Sequence, residues 1–381
     1  MDLLSGAVTP PTGGPVPVVL IGAGKVAHAA HLRELRDLRH VLRLVAVVEN
    51  DPVHLAAVRA GGFPDAAVCG SPEEAVRAGA RAALVCTPWW THREVVGACL
   101  EAGLPVLCEK PVSLDLAEID QLLAAEERAG VPVAAGYMKR HDPVVARFID
   151  HCRAELPRAR RFEIDIHDPN APHQVAHLLP YPPQPFGPQP PAAERALRRA
   201  LGAAAGSVQR EAYARGLGGS LIHQVNIVHA VLAGSGLRLD GRLLHADQWA
   251  DGAGIGVRWR PDRMLLIDAT HLRVPEHRRY RETLEFTAET SVATLGLPSP
   301  YARDESATLT VETWDARGAQ SERRTYTAEP GRTGFRQQLL AWAASLSGEP
   351  GPGPAGPPGL PGLLEVREDA RVMREAALRL A

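Results

Sequence analysis

Over the first third of the chain, unbroken apolar runs alternate with segments whose apolar residues recur at helical spacing. "VPVVLIGAGKVA" opens as a strand and passes through glycines into a helix, and "LRLVAVVEND" is a second strand followed by the helix "DPVHLAAVRAG". "RAALVCTP" and "LPVLCEKP" are the third and fourth strands, with the helix "HREVVGACLEAG" between them. "SLDLAEIDQLLAAEERAG" reads as a capped helix, Ser113 at its N-cap and Gly130 just past its end. "VPVAAGYM" is the fifth strand. Runs that are apolar on both sides suit strands covered on both faces, and strict alternation with helices predicts a doubly wound parallel sheet. In such a sheet ligands bind at the carboxyl ends of the strands.

The pattern then changes. "RRFEIDIHD", "RMLLIDATHLRV", "ETLEFTAETSVATL", "SATLTVETWD" and "SERRTYTAE" alternate apolar and polar residues, as strands with one buried face do. A Pro-rich insertion at 167–191 interrupts them; its prolines forbid a regular helix or central strand, and it reads as a lid over the substrate or as a surface loop. "GEPGPGPAGPPGLPG" is too short for a collagen helix and reads as a linker to a last helix. The chain thus divides into an alternating α/β domain over 1–142 with a flexible leader at 1–15, a second domain over 143–362, and a closing helix over 363–381.

Composition narrows the classes. A length of 381 residues, 45% hydrophobic and 23% charged, fits a two-domain globular protein. A net charge of −2 and a pI near 6.7 give no electrostatic reason to expect nucleic acid or an anionic membrane as partner. No apolar run approaches the ~18 residues of a membrane span, and the N-terminus lacks the basic start and apolar core of a secretory signal. Cys69, Cys86, Cys99, Cys108 and Cys152 show no metal spacing and read as small buried hydrophobes in a cytoplasmic protein.

The first strand-to-helix turn carries Gly22, Gly24 and Ala27, spaced GxGxxA: a tight turn, a close backbone approach to a pyrophosphate, and a close helix contact. Lys25 and Val26 lie within it; Lys25 is either near the cofactor phosphates or a solvated surface lysine. Glu49 ends the second strand about 20 residues further on, where a carboxylate holds ribose hydroxyls. Asn50 rather than an arginine follows, so the cofactor expected is NAD ahead of NADP. Among 42 basic residues there are only three lysines, Lys25, Lys110 and Lys139. Arginine stays protonated, whereas a buried lysine can pass a proton, which makes Lys110 in "VLCEKPVSL" the residue to follow.

"IGAGKVAHAAHL", "VCTPWWTHREVVGACLEAGLPVLCEKPVSL", "GYMKRHDPVVARF" and "EDARVMREAAL" together resemble the Gfo/Idh/MocA oxidoreductases. The resemblance implies a Rossmann domain followed by an α+β domain with a large open, mainly antiparallel sheet, one face covering the active site and the other joining subunits in a homodimer or homotetramer. The closing helix would pack back on the Rossmann domain. It also implies that Lys110 assists proton transfer at the reacting carbon's oxygen while Glu109 binds the nicotinamide ribose. Thr87, Pro88 and His92 match the loop under the cofactor. Lys139 and Arg140 would face the same crevice and bind substrate.

The helix in "GLGGSLIHQVNIVHAVLAG" departs from the family's aspartate–histidine pattern. His223, Asn226 and His229, three residues apart, form one polar stripe. His223 is a second catalytic candidate or a histidine bonded to backbone near a helix start; Asn226 and His229 would bind substrate or simply pack. His173 and His177, with His167 and Asp168 upstream, have metal-like spacing, but prolines disfavour the helix that would align them, so no metal is expected. The sequence therefore predicts an NAD-dependent oxidoreductase acting on a secondary alcohol or ketone of a sugar, cyclitol or nucleotide-sugar. The alternatives are a redox-neutral elimination or glycoside cleavage on bound NAD, and a non-catalytic dinucleotide sensor.

Overall fold

The computed structural model describes residues 14–169, 174–182, 189–275, 279–302, 305–315, 317–329, 331–347 and 359–380. Nearly all of the leader at 1–15, most of the Pro/Gly linker, and 170–173 and 183–188 of the insertion lie outside the described residues.

Six strands, β1 (Val16–Ile21), β2 (Leu42–Val48), β3 (Ala67–Val68), β4 (Ala82–Val85), β5 (Val106–Glu109) and β6 (Val133–Gly136), form a parallel sheet in the order β3-β2-β1-β4-β5-β6. β4, β5 and β6 are buried along their whole length and β1 over its last four residues, because helices cover both faces. Order reverses between β1 and β4, and the crevice there opens at the strands' carboxyl ends. The two-residue β3 is too short to leave a periodic signal and was not anticipated. Asp51 and Asp115 cap the helices Pro52–Ala60 and Leu116–Ala129 by accepting from the amides of Val53 and Ala117. Ser113 is therefore not the N-cap: its hydroxyl accepts from Asp115 N at 3.0 Å and donates to Glu118 at 2.7 Å, locking the turn before the helix. Gly130 closes that helix in the left-handed region, with φ of 68°.

The second sheet contains β7 (Ala159–Asp168), β8 (Leu243–Trp249), β9 (Gly254–Trp259), β10 (Leu266–Arg273), β11 (Arg281–Ala288), β12 (Ser291–Leu297), β13 (Thr308–Trp314) and β14 (Gln320–Thr327). Its order is β14-β13-β12-β11-β7-β10-β9-β8, antiparallel except where β10 runs parallel to β7. "ETLEFTAETSVATL" is a hairpin of two strands, β11 and β12, and β8 and β9 complete the sheet. Burial alternates along β7, β10, β11 and β12, and the inner face shares a core with the Rossmann helices.

Two late helices join the halves. The closing helix Leu363–Arg379 packs on Leu116–Ala129 of the Rossmann half and also on Ile222–Leu232, so it wedges between the two. Just before it, Ala135 N on β6 donates to Pro361 O at 2.8 Å. The helix Gly334–Ser347, inside the 143–362 segment, inserts Leu339, Trp342 and Ala343 into the core beneath β1 and β2. That helix belongs to the Rossmann half in space, although the chain reaches it only after the second sheet. Among the described residues no helix is long and apolar enough to cross a membrane.

Candidate active site

At the end of β1, Gly22 has φ of 85°, and a Cβ there would lie 2.7 Å from Thr87 N and 2.8 Å from Thr87 Cγ2. Only glycine allows the turn and the approach of the β4 loop together. Gly24 is different: a Cβ there meets no protein atom within 4 Å, so the loop leaves open space above it. Lys25 and Val26 begin the helix, which passes through a π-helical turn, Ala27–His31, into Leu32–Asp37. Ala27 is fully buried, as close packing demands. Glu49 braces this loop: Oε2 accepts from Ala23 N at 2.7 Å and Oε1 from the amides of Asn50 and Asp51 at 2.7 and 2.9 Å. A carboxylate offers about four acceptor positions, so one remains for a ligand hydroxyl.

The β4 loop and the turn after β5 are stitched together by His92. Its Nε2 lies 2.7 Å from Thr87 O and its Nδ1 2.9 Å from Pro111 O, and the ring is buried. Burial lowers its pKa, while the two carbonyls pull the other way. His92 thus sets the distance between Thr87–Pro88 and Lys110–Pro111 from behind the crevice. Trp89 and Trp90 meet edge to face, centroids 5.7 Å apart, and Trp89 packs on the core. Glu109 is buried at the end of β5, with Oε1 2.7 Å from His31 Nε2 and Oε2 accepting from Lys110 N at 3.2 Å.

Lys110 Nζ donates to Gly219 O at 2.5 Å. That carbonyl lies in a second π-helical stretch, Ala212–Leu221, and a π-helix often marks a functional site. The glycines let this helix approach: a Cβ on Gly218 would sit 2.5 Å from Leu114 Cδ2 and 2.9 Å from Tyr213 O. Burial pulls the Lys110 ammonium down to about 8, against Glu109, which favours the charge; Lys139 and Lys25 push it further down, and Asp168 opposes them. Lys25, exposed at the mouth but hemmed in by protein, is also lowered by desolvation, with Asp168 opposing. The other two lysines of the chain therefore both act on Lys110.

Tyr280, Glu282, Gln224 and His271, which the sequence did not single out, join Lys139 in completing the crevice. Lys139, in the turn after β6, pairs with buried Glu282 of β11 and lies 3.3 Å from Tyr280 Oη. Tyr280 Oη also donates to Glu282, and Gln224 Nε2 donates to the other carboxylate oxygen at 2.6 Å. His271 of β10 is buried among these groups, in the field of Asp168 and Glu282, with neither ring nitrogen hydrogen-bonded among the described residues. The alternating pattern of β10 and β11 announced their inward faces, but nothing in one sequence marked which inward residue meets which.

The polar stripe on Ile222–Leu232 splits. His223 faces the crevice: its ring lies edge-on to Tyr137, centroids 5.9 Å apart, and burial with the nearby Lys110 and Lys139 charges drives its pKa well below normal. The ring is neutral at ordinary pH. Asn226 and His229 instead meet the closing helix, donating to fully buried Asp369 at 3.0 Å and approaching it at 2.6 Å respectively. Arg140 joins this network through Asn226 Oδ1 at 3.3 Å and an ion pair with Glu365. The helix is buried all round because the closing helix covers that side, a partner that spacing alone did not reveal. Among the described residues no group of three His, Cys, Asp or Glu is placed to hold a metal; His173 lies outside them.

A six-stranded Rossmann sheet, an open eight-stranded sheet and a glycine loop define the class: a two-domain fold with one Rossmann half. Residues 16–137 match the Gfo/Idh/MocA family, described as "Oxidoreductase family, NAD-binding Rossmann fold". The chain is 33% identical over 157 residues to the myo-inositol dehydrogenase Hyg17 of Streptomyces leeuwenhoekii, a match covering 41% of this chain and 47% of that protein. It is 36% identical over 141 residues to inositol 2-dehydrogenase 1 of Saccharopolyspora erythraea, covering 36% and 41% respectively. The matched segments thus span less than half of either relative. Over nearly the whole chain the fold resembles the 3-ketoreductase KijD10 of Actinomadura kijaniata in complex with NADP (TM-score 0.67, 17% identity, 96% of this chain and 98% of that one). It also resembles the UDP-N-acetylglucosamine 3-dehydrogenase GnnA of Acidithiobacillus ferrooxidans (TM-score 0.65, 15% identity, 96% and 98%).

Proposed function

We propose that the protein oxidises a secondary alcohol, or reduces the corresponding ketone, of a sugar, cyclitol or nucleotide-sugar, with NAD as cofactor. The observation that carries this reading is Lys110: a half-buried ammonium held on Gly219 O, which desolvation lowers to about 8 so that it gains and loses a proton near neutrality. The cofactor fits the residues present. Open space above Gly24 admits a pyrophosphate, and Glu49 retains acceptor capacity for a ribose diol. Glu49 and Asp51 disfavour a 2′-phosphate, and neither is followed by an arginine that would offset them. Nicotinamide, when bound, supplies the acceptor or donor of hydride. The remaining work falls to the chain. Lys110, as free amine, takes the proton of the alcohol, and as ammonium it stabilises negative charge on that oxygen. Neutral His223 orients a substrate hydroxyl rather than storing a proton. The Lys139–Glu282–Tyr280–Gln224 group offers donors and acceptors in alternation, which suits a ring bearing several hydroxyls. The names of the inositol-dehydrogenase relatives agree with that substrate class.

The test is turnover with a panel of inositols, sugars and nucleotide-sugars in wild type, Lys110→Met and Lys110→Arg. Both variants are expected to lose about 10²–10⁴ in kcat. Because the folded pKa is lowered to about 8, the free amine accumulates as pH rises through that value. Alcohol oxidation should rise through pH 8, and ketone reduction, which needs the ammonium, should fall. Near-normal turnover by the arginine variant would show that the residue acts only as a fixed charge, since a guanidinium cannot give up its proton.

A further inference from the structure

Three aromatic rings meet at the far end of the dinucleotide cradle, around Glu49, and the function above uses none of them. His28 lies just beyond the glycine loop, its amide donating to Gly24 O at 3.1 Å. His54 stands in the helix after β2, with Nδ1 3.6 Å from Glu49 Oε2. Tyr181 comes from the other half of the molecule, in the Pro-rich excursion that follows β7. Gln174 ties down an earlier part of that excursion by donating to Asp168 Oδ1 at 3.4 Å. The Tyr181 ring lies 4.6 Å from that of His54, inclined at 37°, and meets His28 edge-on at 5.4 Å. The two imidazoles are 6.4 Å apart.

A loop normally keeps its polar groups in water. Here Tyr181 Oη and His28 Nε2 are both shielded from solvent without a hydrogen-bond partner among the described residues. Leaving a buried donor or acceptor unmatched is costly, so the arrangement calls for a ligand with groups to match. The ligand should be uncharged at this point. Burial, with Glu49 and Asp51 nearby, pushes the Tyr181 phenol up to about 12. Burial, reinforced by His54 and opposed by Glu49, holds His28 down to about 4. Both are therefore neutral at ordinary pH: they can hydrogen-bond hydroxyls, and they bring no positive charge toward a phosphate.

We propose that Tyr181 is part of the dinucleotide site: with His28 and His54 it covers the adenosine ribose at Glu49, and its hydroxyl and His28 Nε2 bond that ribose's hydroxyls. The second half of the chain would then contribute to cofactor binding as well as to substrate binding, and NAD, with its free 2′-hydroxyl, is the form that fits. This inference rests on the dinucleotide reading above, and the experiment separates the two.

The measurement is the dissociation rate of NADH, by stopped-flow displacement from wild type, Tyr181→Ala and Tyr181→Phe. An aromatic contact of this kind predicts that the alanine variant releases NADH about five- to tenfold faster. The phenylalanine variant keeps the ring and should recover most of that loss, which a general destabilisation of the fold would not do. If Tyr181→Ala fails to fold, His54→Leu removes the ring on which Tyr181 rests and carries the same expectation. NADH dissociation from Tyr181→Ala (or, where that variant does not fold, from His54→Leu) within twofold of wild type overturns the role of Tyr181 and leaves the dinucleotide reading standing. Wild type that binds neither NADH nor NADPH overturns both.

Discussion

At the scale of single residues, the glycine loop separates what the fold needs from what a ligand needs. Gly22 is required by the protein itself, since any side chain would enter the left-handed region and strike the backbone of Thr87. Gly22→Ala is expected to cost about 1–3 kcal/mol or more in unfolding free energy, read as a lower urea midpoint. Gly24→Ala meets no protein atom, so its stability should stay within about 0.5 kcal/mol of wild type, while NAD affinity falls because the methyl occupies the space above the loop. Calorimetric titration of both variants checks this; an unchanged affinity in Gly24→Ala would remove the pyrophosphate from that space. The glycine spacing was legible in the sequence because strand, turn and helix are local. So was the peculiarity of Lys110, from the scarcity of lysine. Its partner Gly219 O, the Tyr280–Glu282 pair and the solitary His271 were not legible, because each depends on a backbone position set by tertiary packing.

At the scale of elements, the helix Ile222–Leu232 shows how far periodicity reaches. Spacing put His223, Asn226 and His229 on one stripe, but the closing helix claims two of the three through Asp369. Asp369 is wholly buried, so removing it leaves Asn226 and His229 facing a hole without an acceptor. Asp369→Ala should cost about 3–5 kcal/mol, and Asp369→Asn, which keeps the size and one oxygen, should cost less. Denaturant unfolding reads the loss, and KM for the alcohol, measured well below the melting transition, reads the other possibility. A KM that changes in Asp369→Asn without a comparable loss of stability would return Asn226 and His229 to the substrate site. The same limit explains the misplaced N-cap. Ser113 and Asp115 both carry capping chemistry, and only the path of the chain out of the Lys110 turn decides that Asp115 takes the role while Ser113 braces Glu118.

At the scale of the molecule, the order of the sequence and the order in space diverge, and this has a measurable consequence. The alternating first 142 residues supply all six strands of the Rossmann sheet, which is why that fold was readable early. Yet the core beneath β1 and β2 is completed by Leu339, Trp342 and Ala343, and β6 is bonded to Pro361, more than two hundred residues further along the chain. Truncating a single buried large side chain such as Trp342 typically costs about 3–5 kcal/mol, a sizeable share of the roughly 5–15 kcal/mol that holds a domain folded. A fragment ending at residue 150 loses the whole helix together with the closing wedge. It is therefore expected to show no cooperative thermal transition and no NAD binding, although it contains the glycine loop, Glu49 and Lys110. The full chain should melt in one transition that NAD moves upward, because the wedge couples the two sheets and ligand binding to the native state adds to its stability. Calorimetry on both proteins decides the matter. A fragment that melts cooperatively and binds NAD would mean that the first third folds by its own core, and that the late helices only dock on a finished domain.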